Sequence, residues 1–369
     1  MDLSRILGNW MTELENTPQC PLWHAEGNVL RHTQLVCQAL ESLDAYRNAD
    51  ETTQTILYLA AAFHDIGKIS TTYQEPEYGQ WSSPNHSMVG AGMTRRILWQ
   101  DFGLCGTPEK QRIREAVCNL VRFHMNPPHA IMHPNAHWLL RLIASNGELI
   151  PGFCLDWLCT LAEADVLGRI STDQQKSLER IVRCRELAQE AGCLSGPYPF
   201  PSGYTAYAYL SGRKIPPEYP LYDAAWGEVI FLSGLPGTGK DTWIQANCSE
   251  LPVISLDEIR EELGISHRDD QSPVVNAARE QAKVLLRRKQ RFVWNATNTT
   301  ITSRKKLVSL FRDYGASTRM VYLETIWEEQ LRRNASREKA VPKAVICRMW
   351  EKTSPPFRME ADHVIWQCV

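Results

Sequence analysis

The stretch Gly234-Leu-Pro-Gly-Thr-Gly-Lys-Asp-Thr242 constrains this chain more than any other. It follows an apolar run, Val229 to Leu232, that reads as a buried strand. It precedes Trp243-Ile244-Gln245-Ala246, which reads as the first turns of a helix. A strand feeding a glycine-rich turn, a lysine and a helix is the layout of a phosphate cradle. Glycines let backbone N–H groups approach phosphate oxygens, and the helix N-terminus adds positive potential. In that layout Gly234, Gly237, Thr238, Gly239, Asp241 and Thr242 lie along the nucleotide, and Lys240 reaches its β- and γ-phosphates. The chain departs from the pattern once: after the lysine, where Ser or Thr is usual, stands Asp241.

The surrounding sequence alternates. Apolar strands are expected at Val229–Leu232, Val253–Ser255, Phe292–Asn295, Met320–Leu323 and Val364–Trp366, with helices at 240–248, 257–263, 273–290, 302–313, 326–335 and 341–353. That alternation predicts a parallel sheet covered by helices on both faces. Residues 1–192 differ. They show helical periodicity, as in Val29-Leu30, Leu35-Val36, Leu40, and lack β-branched strand runs, which predicts an all-α domain. Between the two, over 193–226, Gly-Pro-Tyr-Pro-Phe-Pro (196–201), Pro216-Pro217 and Pro220 oppose helix formation. Six tyrosines between 198 and 222 make this segment too aromatic for a flexible linker, so an extended, docked connector is expected. The fold class is therefore multidomain: an all-α domain over 1–192, a connector over 193–226, and an α/β P-loop domain with a helical lid over 227–369.

Composition sets bounds on partners. A net charge of −2 argues against a broad basic face, so a nucleic-acid partner would be met locally, at chain ends or in a groove. The eleven cysteines form no CxxC pair and read as reduced thiols of a cytoplasmic protein. No apolar run follows leading basic residues, and the longest, Ile56 to Phe63, is too short to span a bilayer, so no membrane partner is expected.

A phosphotransferase needs an acceptor base, a grip on the acceptor and cations on the moving phosphoryl group. The second strand runs into Asp257-Glu-Ile-Arg260, at the sheet edge where catalytic groups gather. Asp257 is placed to accept a hydroxyl proton, and Arg260, three residues on, to hold an acceptor anion; a plain N-cap and a solvated charge fit the same residues. Farther on, Arg332-Arg-Asn-Ala-Ser-Arg-Glu-Lys-Ala-Val-Pro342 sets Arg333 and Arg337 four apart on one face, ahead of a proline suited to a first helical turn. Guanidinium forks suit spread phosphoryl charge, as in a lid; an exposed basic loop has the same composition.

The set GLPGTGKDTW, LDEIR and RRN-x-x-R-x-x-AVP resembles the phage-type 5′-hydroxyl polynucleotide kinases over about 140 residues. The resemblance implies Lys240 as the P-loop lysine, Asp257 as general base and Arg260 on the acceptor's terminal phosphodiester. It implies Arg337 as the lid arginine on the donor phosphates, supported by Arg333. Asn295-Ala-Thr-Asn298 would line the site. ATP or another NTP with Mg²⁺ is the implied donor. The family has Ser at the position of Asp241; a carboxylate is also a hard oxygen ligand for Mg²⁺.

The second signal is Phe63-His-Asp-Ile-Gly-Lys68. Adjacent His and Asp at the end of an apolar helix are costly to bury without a partner, and a metal removes that cost. Further candidate ligands are His32, His86, His124 and Asp165, although single histidines on helices are more often structural. With Leu22-Trp-His-Ala-Glu-Gly-Asn28, Arg31-His-Thr33 and Ala164-Asp-Val-Leu-Gly-Arg169, this set resembles the HD phosphohydrolases, in particular the HD domain attached to bacterial CCA-adding tRNA nucleotidyltransferases. The resemblance implies His32, His64, Asp65 and Asp165 on one metal, His86 and His124 on a second, and Asp65 as the bridge. Mixed His and Asp ligands suit Mn, Co, Ni, Zn or Fe better than Mg. Lys68 would neutralise phosphate charge, and His24 is left to a supporting or packing role.

Fused in this order, the two halves are similar to bifunctional bacterial end-healing enzymes. The resemblance implies RNA or DNA ends as substrates and a separate ligase as a functional partner. Two alternatives remain at this stage. One is an HD nucleotidase joined to a small-molecule or nucleoside kinase. The other is a nucleotide-sensing regulator, against which Asp257 and the lack of an Asn-Lys-x-Asp motif both speak.

Overall fold

The computed structural model describes residues 1–266, 269–337 and 339–369. The chain divides into two compact units: Met1–Leu104 with Glu109–Tyr198, and Cys105–Pro108 with Pro199–Val369. The first unit is helical. Its only strands among the described residues are the two-residue antiparallel pair Tyr73–Gln74 and Trp81–Ser82.

At the centre of the first unit lies the helix Glu51–Phe63, whose residues Ile56 to Phe63 are all buried. A helix apolar all round must be packed all round. The helices Val29–Ser42 and Leu155–Leu167 pack against it and against each other. Caps fix where these helices begin. Asn28 accepts from the N–H of Arg31, and Asp50 from that of Thr53, so each satisfies a donor the helix cannot. Asn28 thereby sets His32 on the first turn of its helix.

The second unit is built on a five-stranded parallel sheet in the order Val253–Ser255, Val293–Asn295, Glu228–Ser233, Ser317–Glu324, His363–Cys368. The first strand in sequence is central, and the chain adds strands on both sides of it. The turn leaving that strand therefore opens at the crevice where ligands of such sheets bind. One face of the sheet is filled by Phe231, Phe292 and Trp294 edge-on to Phe311, with ring centroids 5.6–6.2 Å apart. The helices observed at Lys240–Asn247, Leu256–Glu262, Ser272–Arg287, Ile301–Asp313, Trp327–Ala335 and Lys343–Glu351 fall where the sequence periodicity places them.

The segment following Tyr198 differs from the extended chain expected of it. Gly203–Leu210 is a helix, capped by Ser202, whose Oγ accepts from the Thr205 N–H. Pro199 and Pro201 precede the cap and Pro216 follows the helix, so no proline falls where it would break a hydrogen bond.

One buried ion pair ties the last strand's approach to the sheet. Arg304, fully buried, makes a two-pronged contact with Glu360 at 2.7 and 2.9 Å and donates to Ser354 O at 2.8 Å. Breaking such a pair strands a buried charge. Arg304→Met is therefore expected to cost about 3–5 kcal/mol in urea unfolding. A loss below about 1 kcal/mol would show that Glu360 finds another partner.

Candidate active sites

Five chain segments bring the histidines and aspartates of the first unit together. His32 comes from the helix Val29–Ser42, His64 and Asp65 from the turn after Glu51–Phe63, His86 from the start of His86–Gln100, His124 from just beyond Pro108–Phe123, and Asp165 from Leu155–Leu167. Gly67 lets two of these meet. A Cβ there would stand 2.0 Å from the His86 carbonyl oxygen and 2.6 Å from the Gly90 nitrogen.

Asp65 is the hub. Its Oδ2 lies 3.3 Å from His64 Nε2 and 3.6 Å from His32 Nε2, and His32 Nε2 lies 3.1 Å from Asp165 Oδ1. Its Oδ1 lies 3.3 Å from His86 Nε2 and 3.9 Å from His124 Nε2. Lys68 Nζ sits 2.7 Å from Oδ2 and donates to Gln19 Oε1 at 2.7 Å. His32, His64, Asp65, His124 and Asp165 are all buried, and His86 is partly so.

The ring tautomers follow from the outer partners. Nδ1 of His64, His86 and His124 faces the carbonyl oxygens of Ala61, Ser83 and Val121 at 2.8, 2.8 and 2.7 Å. A carbonyl can only accept, so each Nδ1 carries a proton, and a ring with no second proton turns an Nε2 lone pair inward. Burial depresses His124 to about 3, which keeps it neutral. Burial works to raise Asp65 and Asp165, but Lys68 beside the first and Arg169 beside the second outweigh it and keep both ionised.

Inward lone pairs facing one another call for a cation. His32 and His64 approach Nε2 to Nε2 at 3.2 Å, and His86 and His124 at 3.4 Å. Two metal–nitrogen bonds of ~2.0–2.1 Å at a tetrahedral angle would place the nitrogens about 3.3 Å apart. The donor set thus fits divalent ions in two cages: His32, His64, Asp165 and one Asp65 oxygen in the first, His86, His124 and the other Asp65 oxygen in the second.

Glu26 lies outside the sequence-based ligand set. Its buried carboxylate stands 2.9 Å from His32 Nδ1 and 2.8 Å from His24 Nδ1, and its second oxygen accepts from Ile170 N. It does for His32 what the backbone carbonyls do for the other three rings. The only trace in the sequence is a carboxylate within the His24–Asn28 word. Glu26→Gln should weaken Mn²⁺ binding about 10–100-fold by calorimetry, the usual effect of losing a ligand's outer partner. Undiminished affinity would mean His32 holds its orientation without it.

In the second unit the glycine-rich turn leaves the central strand and enters Lys240–Asn247. Gly234 N donates to Thr297 O at 2.8 Å. Lys240 Nζ donates to the carbonyls of Gly234 and Leu235, each at 3.0 Å. Burial lowers Lys240 to about 8, against the raising influence of Asp241 and Asp257. The Thr238 side chain turns inward onto Leu235 O, so only its backbone is available to a phosphate. Thr242 is exposed on the first turn.

Asp241 is exposed, and its Oδ1 accepts from Asn295 Nδ2 at 2.6 Å. Asn295 thus faces the nucleotide turn, as the motif suggested. Asn298 does not: it is buried with φ 41° and donates to Leu232 O, tying the loop to the sheet.

Asp257 is not the helix cap. Ser255 is, accepting from the Glu258 N–H, so the Asp257 carboxylate is free to face other groups. It is exposed and pairs with Arg260 Nη1 through one oxygen and with Arg337 Nη2 at 3.3 Å through the other. The carboxylate's partial desolvation among its neighbours works to raise it, but Arg260, Arg337 and Lys240 outweigh that and hold it below the usual range, although the side chain stays more than half exposed. Arg260 also donates to Gln271 Oε1 at 2.8 Å, which holds its guanidinium between Asp257 and Gln271.

The two lid arginines do not share a helical face. The helix Trp327–Ala335 ends before Arg337, which reaches Asp257, while Arg333 lies within 3.3 Å of where a Gly239 Cβ would be. The helix Trp327–Ala335 is fastened to the glycine-rich turn by residues absent from the sequence-based set. Gln330 Nε2 donates to Pro236 O at 3.0 Å, and Gln330 O stands 2.5 Å from where a Gly237 Cβ would be. Asn334 bonds both backbone groups of Val341, closing the turn that carries Arg337.

Comparison with known proteins agrees with this division. Residues 29–151 match the HD domain family, and residues 229–356 match a family described as AAA domain. The chain joins a helical HD domain, a fold that binds divalent metals, to a kinase-like P-loop domain. It is 24% identical over 135 residues to the L-seryl-tRNA(Sec) kinase of Methanococcus maripaludis (strain DSM 14266), a match covering 35% of this chain and 53% of the relative. The chain thus spans about half the length of that curated relative. Among solved structures it is similar to a kinase-like protein from Chloroflexus aurantiacus J-10-fl, at 18% identity and TM-score 0.34, covering 39% of this chain and 86% of that one. No helix among the described residues is long and apolar enough to cross a membrane.

Proposed function

We propose that this chain heals broken nucleic-acid ends, with a metal-dependent phosphoesterase in the first unit and an NTP-dependent 5′-hydroxyl kinase in the second. One observation carries the reading. The same chain holds a hub aspartate whose two oxygens each face a pair of lone-pair-bearing imidazoles, and a carboxylate at a P-loop held between two arginines. The first arrangement suits phosphate removal and the second phosphate addition. Strand cleavage that leaves a 2′,3′-cyclic phosphate and a 5′-hydroxyl calls for both before a separate ligase can act.

In the kinase unit, Asp257 accepts the proton of the attacking 5′-hydroxyl. Lys240, Arg333 and Arg337 bear on the donor phosphates, and Arg260 sits at the acceptor side. Asp241, held by Asn295, offers an oxygen toward Mg²⁺ where a hydroxyl is usual. In the phosphoesterase unit, His32, His64, Asp65 and Asp165 would hold one divalent ion, and Asp65, His86 and His124 a second. A divalent ion held there would supply the Lewis acidity that phosphate-ester hydrolysis needs. Lys68 neutralises charge on the substrate phosphate, which serves 2′,3′-cyclic, 2′- or 3′-phosphate ends alike. The relative named for seryl-tRNA supports an acceptor carried on a nucleic acid, rather than a free nucleoside.

The test offers a 5′-hydroxyl oligonucleotide with γ-labelled ATP, and a 2′,3′-cyclic-phosphate oligonucleotide with Mn²⁺. Label on the oligonucleotide and opening of the cyclic phosphate are expected. Labelling confined to mononucleosides would instead establish the nucleotidase–nucleoside kinase alternative, and nucleotide binding without transfer the sensor. Asp241→Ser should shift the kinase's divalent-metal preference in a series of Mg²⁺, Mn²⁺ and Ca²⁺; an unaltered series would remove Asp241 from the metal's surroundings.

A further inference from the structure

Gln271 stands at the N-terminal boundary of the helix Ser272–Arg287, yet its side chain makes no capping bond to that helix. The amide is spent elsewhere. Its Nε2 donates to the carbonyl oxygens of Ser266 and Asp269 at 2.9 and 2.8 Å. Carbonyl oxygens only accept, so the amide has one orientation and Oε1 is left as the acceptor on its other side. There it accepts from Arg260 Nε at 2.8 Å. The helices Leu256–Glu262 and Ser272–Arg287 pack against each other, so the contact joins two elements already fixed in place.

The Arg260 guanidinium is thereby held at two of its three nitrogens. Nη1 bonds Asp257 Oδ1, and Nε bonds Gln271. Two anchors at different nitrogens fix the rotation of a planar group. The N–H groups of Nη2 find no acceptor among the described residues, and the side chain keeps 15% of its exposure. The Nη2 edge is therefore the part of the fork left for an anion. Without Gln271 the group would hinge about its single bond to Asp257, free to close a two-pronged pair on that carboxylate. Such a pair would withdraw Arg260 from the acceptor and Asp257 from the hydroxyl together. We propose that Gln271 is a positioning residue of the kinase unit: it fixes the Arg260 guanidinium so that its Nη2 edge meets the phosphodiester next to the attacking 5′-hydroxyl. This rests on the kinase reading and adds to it the group that sets the grip on the acceptor.

The test uses two 5′-hydroxyl hexanucleotides that differ at their first linkage, a phosphodiester in one and an uncharged methylphosphonate in the other. Binding to the full chain is measured by calorimetry with Mg²⁺ and no NTP, and transfer from γ-labelled ATP is measured separately. The wild type should bind the diester about 10-fold more tightly, the factor a hydrogen-bonded charge carries. Gln271→Met, close in size but unable to donate, should cut that preference to about threefold or less. It should raise KM for the diester oligonucleotide while leaving KM for ATP and affinity for the neutral oligonucleotide unchanged. Arg260→Ala should abolish the preference, and adding Gln271→Met to it should change nothing further, because Gln271 acts through Arg260. Gln271→Leu serves as a second variant, and melting temperature checks that each folds. A preference that survives both Gln271 variants overturns the proposal. So does a wild type that binds the two oligonucleotides equally, or a variant that weakens both alike, as a merely structural role would. Absence of transfer to either oligonucleotide by the wild type would count against the kinase reading, while the binding comparison still decides the role of Gln271.

Discussion

Asp257→Ala is expected to lower 5′-phosphoryl transfer by about 10²–10⁴-fold, the range spanned by positioned general bases. The expectation rests on where the carboxylate is held. Ser255 takes the capping role, which leaves Asp257 facing Arg260 and Arg337 within electrostatic reach of Lys240. The same geometry predicts the sign of a second effect. Removing a negative charge from beside the donor phosphates should leave NTP affinity equal or tighter, because Arg337 is released from its ion pair. Rate and binding therefore move in different directions, which a general loss of folding cannot mimic. Phosphoesterase activity should be untouched. Transfer within tenfold of wild type would remove Asp257 from the role of base.

Asp65→Ala is expected to abolish cyclic-phosphate opening and to lower bound Mn²⁺, with the kinase unimpaired. The loss should exceed about 100-fold, beyond what removing an outer partner brings, because both cages lose an oxygen at once. The substitution also leaves Lys68 with Gln19 but without its carboxylate in a buried position. Breaking a buried pair costs on the order of 3–5 kcal/mol. Asp65→Asn, which keeps the shape, separates the two consequences: metal content and hydrolysis should fall in both variants, while stability falls most in the alanine. If Asp65→Asn retained the full metal content, the hub role of this residue would be wrong.

The fold was legible because its signals are local. Five apolar runs separated by helical stretches specify a parallel sheet, and the glycine-rich turn identifies which strand precedes the nucleotide crevice. His64-Asp65 was legible because two polar residues closing a buried helix need a reason. Other features depended on contacts distant in sequence. Glu26 matters through His32, Gln19 through Lys68, and Gln330 through the Pro236 carbonyl. None of these carries a signature of its own, since a lone Gln or Glu in a loop is usually solvated. The Gly203–Leu210 helix was obscured by neighbouring prolines, although Ser202 three residues before Thr205 is a capping signal. Arg333 and Arg337 have helical spacing, but the helix stops at Ala335, and periodicity alone does not say where a helix ends.

Both activities meet in one substrate. A nicked RNA hairpin bearing a 2′,3′-cyclic phosphate and a 5′-hydroxyl, incubated with the full chain, ATP, Mg²⁺ and Mn²⁺, can be read at both ends by mass spectrometry. End healing predicts a hydroxyl in place of the cyclic phosphate and a phosphate in place of the 5′-hydroxyl, with Asp65→Asn blocking only the first change and Asp257→Ala only the second. A hairpin whose 5′-hydroxyl stays unmodified while free nucleosides in the same mixture are phosphorylated would contradict the account.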